Sequence, residues 1–256
     1  MRPLVLADLP AAMSLLERVG LASGATNIAR YLALQPDGCW WDDAGGMVTV
    51  LRHGSVGFIG CMAVEPALQG RGVGRRLLEH AHHEARAAGV TTFLLEATPA
   101  GAHLYERLGY VHEHGTWIVG RTRETATLAQ IPAAHHAGVL ALDRAATGTP
   151  RPMIASLLSH PGAVVEARGE LAGYGLVVGD RLGPLVARSA EAGRDLVARL
   201  AAPCTVAGVP EPNEAARRAL ADAGFTDVRR LSRMRLGPPV DGHPDWVWTL
   251  ASAGAG

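Results

Sequence analysis

The chain has 256 residues, of which 48 % are hydrophobic and 19 % are charged, and its formal net charge is +0. This composition excludes an intrinsically disordered chain, and the length allows one large or two small domains. Because the charges balance, we expect neither a nucleic acid nor an anionic membrane as the main partner.

The cysteines and the N-terminal residues bear on the compartment. Cys39, Cys61 and Cys204 are odd in number and form no C-x-x-C pair, which favours a reducing compartment over a disulfide framework or a zinc site. Asp8 and Pro10 interrupt the apolar start, and no uncharged apolar run of about 18 residues follows. We therefore predict a soluble cytoplasmic protein, of unknown oligomeric state.

The first fifty residues predict a short strand, two helices and a strand pair. The first helix has Asp8 as its N-cap and ends at Gly20, and a second helix covers Asn27 to Leu34. Cys39–Trp41 and Met47–Leu51 then predict two antiparallel strands that are joined by a turn.

A buried strand and a glycine-rich turn follow. Val56–Val64 is apolar and carries no charge, as a buried strand requires. The turn Gln69–Arg75, which we call the cradle, has three glycines where a large group must approach backbone N–H donors. The next helix adds its unpaired N-terminal N–H groups and positive dipole end, and Arg71, Arg75 and Arg76 add charge. The pattern predicts an anion site, for a pyrophosphate.

The cradle fits one family motif. A Rossmann fingerprint needs glycine where this chain has Arg75, and the Gly-Lys-Ser/Thr of a P-loop does not occur. The segment Gln69–Gly74, behind Val64-Glu65-Pro66, resembles motif A of the Gcn5-related N-acetyltransferases (GNATs), Arg/Gln-x-x-Gly-x-Gly/Ala. A ligand-free strand-to-helix connection remains the alternative.

A second motif supports the same family. Thr92–Ala97 predicts a strand, and the short helix after it ends at Gly109, where a C-cap glycine belongs. The helix resembles GNAT motif B, with Tyr105 at the family tyrosine. Many family members have Asn where this chain has Thr98, and the variant Ala-Thr-Pro-x-Gly is similar to tandem GNAT proteins of the YitH type.

The helix after the cradle contains a histidine run. Leu77, Leu78, Ala81 and Ala85 share one face at 100° per residue, and His80 and His83 lie on the other, one turn apart. A metal site would need a third ligand, so we predict a solvated face and no metal.

After residue 121 the plan repeats. Thr127–Ile131 and Pro132–Leu142 match the opening strand and helix, and the predicted strands and helices that follow keep the same order: Val164–Ala167, Leu171–Val178, Leu182–Ala187, Leu196–Leu200 and Pro212–Phe225. The resemblance implies an α/β protein of two tandem GNAT-fold domains, residues 1–121 and 122–256. Each domain has a mostly antiparallel, twisted mixed sheet that is flanked by helices.

The second domain lacks the motif residues. Its cradle position, Ala187–Arg194, has one glycine, and Leu220 replaces the motif tyrosine. We interpret this half as a degenerate domain that walls the substrate site, with a second active site as the alternative. Trp246–Leu250 predicts a final strand that docks on one of the two sheets, and Ala251–Gly256 predicts a frayed tail.

The resemblance implies acetyl-CoA as cosubstrate and direct acetyl transfer to a primary amine. Backbone groups would hold the pantetheine arm and the pyrophosphate, and a backbone N–H near Val64 would polarise the thioester carbonyl. The cofactor-binding residues implied are Cys61, Met62, Ala63, Val64, Gln69, Gly70, Arg71, Gly72, Val73, Gly74, Arg75 and Thr98. Cys61 as a covalent nucleophile is the alternative to a small buried residue.

Two residues are candidates for catalysis. Tyr105 is the family's proton donor to the leaving thiolate, with a core tyrosine as the alternative. Because a phenol of pKa about 10 protonates a thiolate of pKa about 8.5 uphill by about 2 kcal/mol, Tyr105 acts mainly as a hydrogen-bond donor. Glu96, at the end of its strand, is the first candidate for the base that deprotonates the amine. The alternatives are Glu65, Asp42, Asp43 and Glu113.

The sequence therefore predicts an acetyl-CoA-dependent N-acetyltransferase. Its acceptor would be a small-molecule primary amine, with an amino sugar or an aminoglycoside antibiotic as an example, which would give a role in antibiotic resistance. The alternatives are acetylation of a protein amine, and a non-catalytic acetyl-CoA-binding sensor or interaction protein.

Overall fold

The computed structural model describes residues 1–256, except for the side chains of residues 22–26. The chain forms two units. The first unit contains Met1–His112, Met234–Pro239 and Ala253–Gly256, and the second contains Glu113–Arg233 and Val240–Ser252. Two segments near the end of the chain thus belong to the first unit. The predicted division into residues 1–121 and 122–256 assigns both of these segments to the second domain.

The first unit has a sheet with helices on both faces. Its strands are β1 (Arg2–Pro3), β2 (Cys39–Asp42), β3 (Gly46–His53), β4 (Val56–Val64) and β5 (Thr92–Ala97). Its helices are α1 (Leu9–Arg18), α2 (Ala22–Leu34), α3 (Val73–Ala87) and α4 (Pro99–Arg107). The strands lie in the order β1-β2-β3-β4-β5, antiparallel except for the parallel pair β4 and β5.

Local sequence explains this order. Asp42 closes the turn between β2 and β3, because its Oδ1 accepts the N–H of Ala44 at 3.0 Å. The predicted strand pair and both predicted helices are confirmed. The connection from β4 to β5 runs through α3, as a parallel pair requires.

The two faces of this sheet carry different helices. The apolar side of α3 packs with Ile59 of β4 and with Phe93 and Leu95 of β5. Helices α1 and α2 also contact β4, and their buried residues include Leu16 and Tyr31. Because strand side chains alternate between faces, neighbours such as Phe58 lie on the face opposite α3.

The second unit repeats the plan. Its helices are α5 (His136–Thr147), α6 (Pro152–Leu157), α7 (Ala190–Leu200) and α8 (Glu214–Asp222). Its strands are β6 (Val111–Gly120), β7 (Gly162–Ala167), β8 (Glu170–Val178), β9 (Arg181–Ala187), β10 (Val206–Pro210), β11 (Thr226–Leu236) and β12 (Val247–Thr249). Six of them lie in the order β11-β6-β10-β9-β8-β7, and β12 pairs with β9. The predicted mixed α/β class with mostly antiparallel sheets is confirmed.

Three predictions for the outer segments need correction or comment. The strand predicted at Thr127–Ile131 is reduced to one bridge, Gln130 with Pro161. The final strand is confirmed as β12. The prediction that Ala251–Gly256 is frayed is wrong, because Ala255 is 0 % exposed and Ser252 is 4 % exposed. Small residues allow this close packing, which local sequence does not reveal. Among the described residues, no helix has both the length and the apolar character for a membrane span.

Candidate functional site

The strands β4 and β5 separate partway along their length. Their parallel pairing runs from Val56 with Thr92 to Ile59 with Leu95. β4 continues to Val64 and β5 to Ala97 beyond the last of these pairs. We call the region between these two strand ends the strand gap.

A bulge in β4 accompanies the separation. On β3, Met47 and Thr49 are two residues apart, but their partners on β4, Ala63 and Gly60, are three apart. The extra residue places Cys61 at φ 45°, which is rare for a residue with a side chain. A bulge bends its strand and re-aims the local backbone, so the site of greatest strain in β4 lies at the start of the strand gap.

The cradle forms the N-terminus of α3. Gly72 is the N-cap and has φ +79°, a conformation that glycine adopts without strain. The N–H of Arg76 donates to the carbonyl of Gly72 at 3.1 Å, so the first-turn N–H groups of Val73, Gly74 and Arg75 have no acceptor within the helix. They are available to an anion, which the helix dipole also favours.

There is space at the cradle for such an anion. A Cβ at Gly72 would meet only the Arg76 side chain, 3.7 Å away, and one at Gly70 would meet nothing within 4 Å. The residues present therefore fit the pyrophosphate that the sequence predicts here.

Other cradle residues support the turn itself. The N–H groups of Gln69 and Arg71 donate to the carbonyls of Pro66 and Leu68, at 3.3 and 3.4 Å. The Gln69 side-chain amide donates to the carbonyl of Val64 at 3.1 Å. Gln69 thus links the end of β4 to the cradle.

Gly74 has a packing role. A Cβ there would lie 3.1 Å from Met62 Cε and 3.6 Å from Val64 Cγ2. The absence of a side chain therefore lets α3 approach the end of β4, and it brings the cradle beside the strand gap. Arg75 pairs with Glu79 at 2.7 Å on the exposed side of the helix.

Tyr105 belongs to a buried aromatic group under α3. Its side chain is in α4, is 7 % exposed and meets the ring of Tyr110 edge-on, with 5.5 Å between centroids. The hydroxyl of Tyr110 lies 2.7 Å from Nε2 of His82. Burial raises the pKa of the Tyr105 phenol above its ordinary value, so the phenol stays protonated and acts as a hydrogen-bond donor.

Sequence reasoning missed His82 and Tyr110. Burial lowers the pKa of His82 from 6.5 to about 4, so the ring is neutral at pH 7. The signal was the helical spacing, because His82 lies four residues after the buried Leu78. The solvated face predicted for His80 and His83 is confirmed only for His83, because His80 is half-buried and contacts the ring of Trp40, with 5.6 Å between centroids.

Glu96 and Thr98 lie at the end of β5. Glu96 directly follows Leu95, the last residue paired with β4, so it stands at the mouth of the strand gap. Since Leu95 packs toward α3, strand alternation directs Glu96 to the opposite face. Thr98 is the N-cap of α4, where its Oγ1 accepts the N–H of Gly101 at 3.2 Å.

The alternative carboxylates have structural contacts. Asp43 pairs with Arg2 and Glu65 with Arg18, at 3.2 and 2.9 Å. Asp42 closes the β2–β3 turn. Glu113 belongs to the second unit, where it lies 3.8 Å from Arg233.

Cys61 has the properties of a buried thiol. Burial raises its pKa to about 12, so the thiol is protonated at neutral pH and is a poor nucleophile. Its bulged backbone, and not its sulfur, is what the geometry offers to a ligand.

In the second unit the equivalent gap is filled. Val247 and Thr249 of β12 pair with Val186 and Leu185 of β9, and the next residue, Leu250, donates its N–H to the carbonyl of Gly208 in β10 at 2.8 Å. The strand β12 therefore lies between β9 and β10, which pair directly only at Arg181 and Val206.

Side chains close the rest of that gap. Trp248 is 1 % exposed, and a Cβ at Gly193 of α7 would lie 2.0 Å from its Cε2. At the start of α7, the Ser189 hydroxyl accepts the N–H of Ala192 at 3.2 Å. The third N–H group of α7, from Ala192, thus has a side-chain acceptor, whereas the corresponding N–H group of α3, from Arg75, has none from its N-cap residue. Among the described residues, no group of three His, Cys, Asp or Glu side chains is arranged for a metal ion.

Comparison with known proteins identifies the domains. Two family models, each described as an acetyltransferase (GNAT) domain, match residues 32–112 and 139–248. A protein named IAA acetyltransferase from Azospirillum brasilense is 36 % identical over 70 residues, which is 27 % of this chain and 44 % of that protein. The chain thus matches less than half the length of this curated relative.

Solved structures share the fold over the whole chain. A Pyrococcus horikoshii protein whose acetyltransferase activity is itself a proposal has a TM-score of 0.84 at 23 % identity, covering 100 % of this chain and 95 % of that one. A GCN5-related N-acetyltransferase from Sphaerobacter thermophilus has a TM-score of 0.60 at 17 % identity, covering 95 % and 97 %.

This chain is built from two GNAT acetyltransferase domains in tandem. The family and the tandem arrangement are thereby confirmed. The matches support acetyl-CoA-dependent N-acetyltransferase activity, with acetyl-CoA as the cosubstrate.

Proposed function

We propose that this protein transfers the acetyl group of acetyl-CoA to a primary amine of a small molecule, at one site in the first unit. The observation that carries the proposal is the strand gap of β4 and β5 beside an open helix N-terminus. Acetyl-CoA, when bound, supplies an activated acetyl group as a thioester.

The chain's own residues divide the work of binding. The N–H groups of Gly72–Arg75 bind the pyrophosphate, and the backbone of Cys61–Val64 holds the pantetheine arm along the strand gap. Gln69 fixes the turn, and Thr98 fixes the start of α4. A backbone N–H near Val64 polarises the carbonyl that is attacked.

Two side chains act on protons. Glu96, on the face away from α3, accepts a proton from the incoming amine, which must be neutral to attack. The Tyr105 hydroxyl donates a hydrogen bond to the sulfur as negative charge develops there. Its raised pKa makes full proton transfer unfavourable, so a solvent proton completes the thiol.

The second unit has a structural role in this proposal, because β12 and Trp248 occupy its gap. Its assignment as a wall of the substrate site stays a prediction, as do the YitH-like subgroup and the cytoplasmic location. An amino sugar or an aminoglycoside is the finer proposal for the acceptor, and it would imply antibiotic resistance.

The test is a turnover screen that follows release of the CoA thiol. The panel contains amino sugars, aminoglycosides, amino acids, IAA because of the Azospirillum relative, and a lysine-containing peptide. We expect turnover with a small amine. Turnover with the peptide alone would favour a protein acceptor, and acetyl-CoA binding without any turnover would favour the sensor.

A further inference from the structure

The segment Ala253–Gly256, which we call the tail segment, lies against β4 in the first unit. A Cβ at Gly60 would lie 2.4 Å from the carbonyl oxygen of Gly254 and 2.9 Å from its Cα. The two backbones therefore touch where neither residue has a side chain. A Cβ on Gly256 would lie 2.9 Å from Cε2 of Phe58.

The tail segment is buried on its other side as well. A Cβ at Gly254 would lie 3.3 Å from the hydroxyl oxygen of Tyr31, in α2. Tyr31 is 1 % exposed. The segment is thus held between α2 and β4, in a space that its glycines and alanines fit.

This position is at the start of the strand gap. Gly60 is the residue directly before the bulged Cys61, and the last β4–β5 pair is Ile59 with Leu95. Because Ile59 and Leu95 pack toward α3, Gly60 and Glu96 face the opposite side. The tail segment and Glu96 therefore flank the same end of the gap, away from α3.

The cradle and α3 lie on the other face, where the cosubstrate arm would enter. An amine that attacks the thioester must then come from the face of Gly60 and Glu96. On that face the tail segment already fills the space over Phe58 and Gly60. An acceptor that approaches from this face would therefore bind beyond Gly60, along Cys61–Val64 and Glu96.

We propose that the tail segment is a wall of the acceptor site and sets the width of the amine that reaches Glu96. It favours a primary amine on an unbranched carbon, such as an aminomethyl group of an amino sugar or an aminoglycoside, over one borne directly on a ring or branched carbon. It also keeps water from the thioester. This inference rests on the proposed function and adds the acceptor class to it.

The test compares two alanine variants of the same strand. Gly60→Ala places a Cβ against the Gly254 backbone and displaces the tail segment. Gly57→Ala is the matched control, because its Cβ would be 3.0 Å from Val50 Cγ1 and 3.3 Å from Phe93 Cδ1, on the α3 side. Both substitutions crowd the core, but only the first reaches the tail segment. A deletion of residues 253–256 is the second test variant.

We expect Gly60→Ala and the deletion to raise acetyl-CoA hydrolysis about tenfold over the control, a change similar to that of one misfitted methylene. In hydrolysis, water replaces the amine: its oxygen bonds the carbonyl carbon, the carbon–sulfur bond breaks, and acetate and the CoA thiol form. Branched amines should gain in kcat/KM relative to unbranched ones, and acetyl-CoA affinity should not change.

If Gly60→Ala and Gly57→Ala show equal hydrolysis and equal amine preference, the tail segment is not a wall of the acceptor site. The proposed function would then remain intact. Wild-type protein that binds no acetyl-CoA would overturn both. Hydrogen exchange on the wild type decides the matter if the variants do not fold. Amides of the tail segment should exchange more slowly when CoA and an accepted amine are bound, and unchanged exchange would count against the wall.

Discussion

The Nε2 atom of His82 lies 2.7 Å from the hydroxyl oxygen of Tyr110, inside the core beneath α3. The ring of Tyr110 in turn meets the ring of Tyr105 edge-on. A buried hydrogen bond thus holds the aromatic neighbour of the candidate catalytic tyrosine. His82 and Tyr110 are positioning residues in this arrangement, and Tyr105 is the one proposed to touch the substrate.

The substitution Tyr105→Phe should lower kcat about ten- to a hundredfold, because a hydrogen bond to a charged group is worth about 1.5–3 kcal/mol. The KM for acetyl-CoA should change little, since the charge on sulfur develops only as the thioester breaks. Steady-state kinetics measures both parameters. The control is Tyr110→Phe, which leaves a buried His82 nitrogen unsatisfied and should cost about 1–3 kcal/mol of stability with a smaller effect on kcat. A wild-type kcat in Tyr105→Phe would make Tyr105 a packing residue.

The pH dependence of stability should report on His82. Its pKa is lowered from 6.5 to about 4 by burial, so the folded protein binds fewer protons than the unfolded chain between these values. The His82 contribution is therefore complete above pH 6.5 and is lost as pH falls toward 4, at up to about 1.4 kcal/mol per pH unit.

Urea unfolding at several pH values measures this slope. In His82→Gln, which keeps a hydrogen-bonding side chain but does not titrate, the slope should be smaller. His83→Gln is the matched control, because His83 is exposed on the same helix. If His82→Gln and His83→Gln give the same slope, burial of His82 does not explain the acid sensitivity.

The cradle can be tested with two glutamates. Gly72→Glu places a carboxylate at the open N-terminus of α3 and should lower acetyl-CoA affinity at least about tenfold, since two like charges about 4 Å apart near a protein surface repel by about 4 kcal/mol. Gly169→Glu is the control, because Gly169 also has φ +79° and nothing within 4 Å of its Cβ position. Both variants should lose a similar ~1–2 kcal/mol to backbone strain.

Calorimetry on both variants gives the affinities. Unchanged affinity in folded Gly72→Glu would remove the cradle from the site. Gly74→Glu is a poorer test, because a side chain there meets Met62 and Leu104 at 3.1 and 3.2 Å and disturbs packing first.

The filled gap of the second unit predicts the binding stoichiometry. Titration with acetyl-CoA should give one site per chain, because β12 and Trp248 occupy the space between β9 and β10. Trp248→Ala should destabilise the protein by about 3–5 kcal/mol, as for other buried aromatic residues, without changing that stoichiometry. Two equivalent sites in wild-type protein would contradict the interpretation of the second unit.

Short-range patterns were sufficient for much of this site. The apolar strand Val56–Val64, the glycines at 70, 72 and 74 and the helix after them follow from rules of local conformation and from one family resemblance. Thr98 was predicted only as a cofactor-binding residue, although its residue type also suits the helix N-cap that it forms.

Contacts between distant residues account for what was missed. The Ala-Gly-rich tail reads as frayed because nothing near it in sequence shows that Gly60 leaves room for it. Similarly, the apolar strand β12 could be predicted, but its place between β9 and β10 depends on Gly193 leaving space for Trp248. The strand β6 was missed because its first three residues are exposed, which hides the alternation of a buried strand.

The assignment of residues 234–239 and 253–256 to the first unit has a consequence for synthesis on the ribosome. A domain normally folds soon after its own residues emerge, N-terminal domain first. Here the residues that complete the first unit emerge only after nearly all of the second unit has been made. The first half of the gene, expressed alone, cannot give a complete first unit. Recombination between the two halves of the gene would separate the tail segment from the cradle.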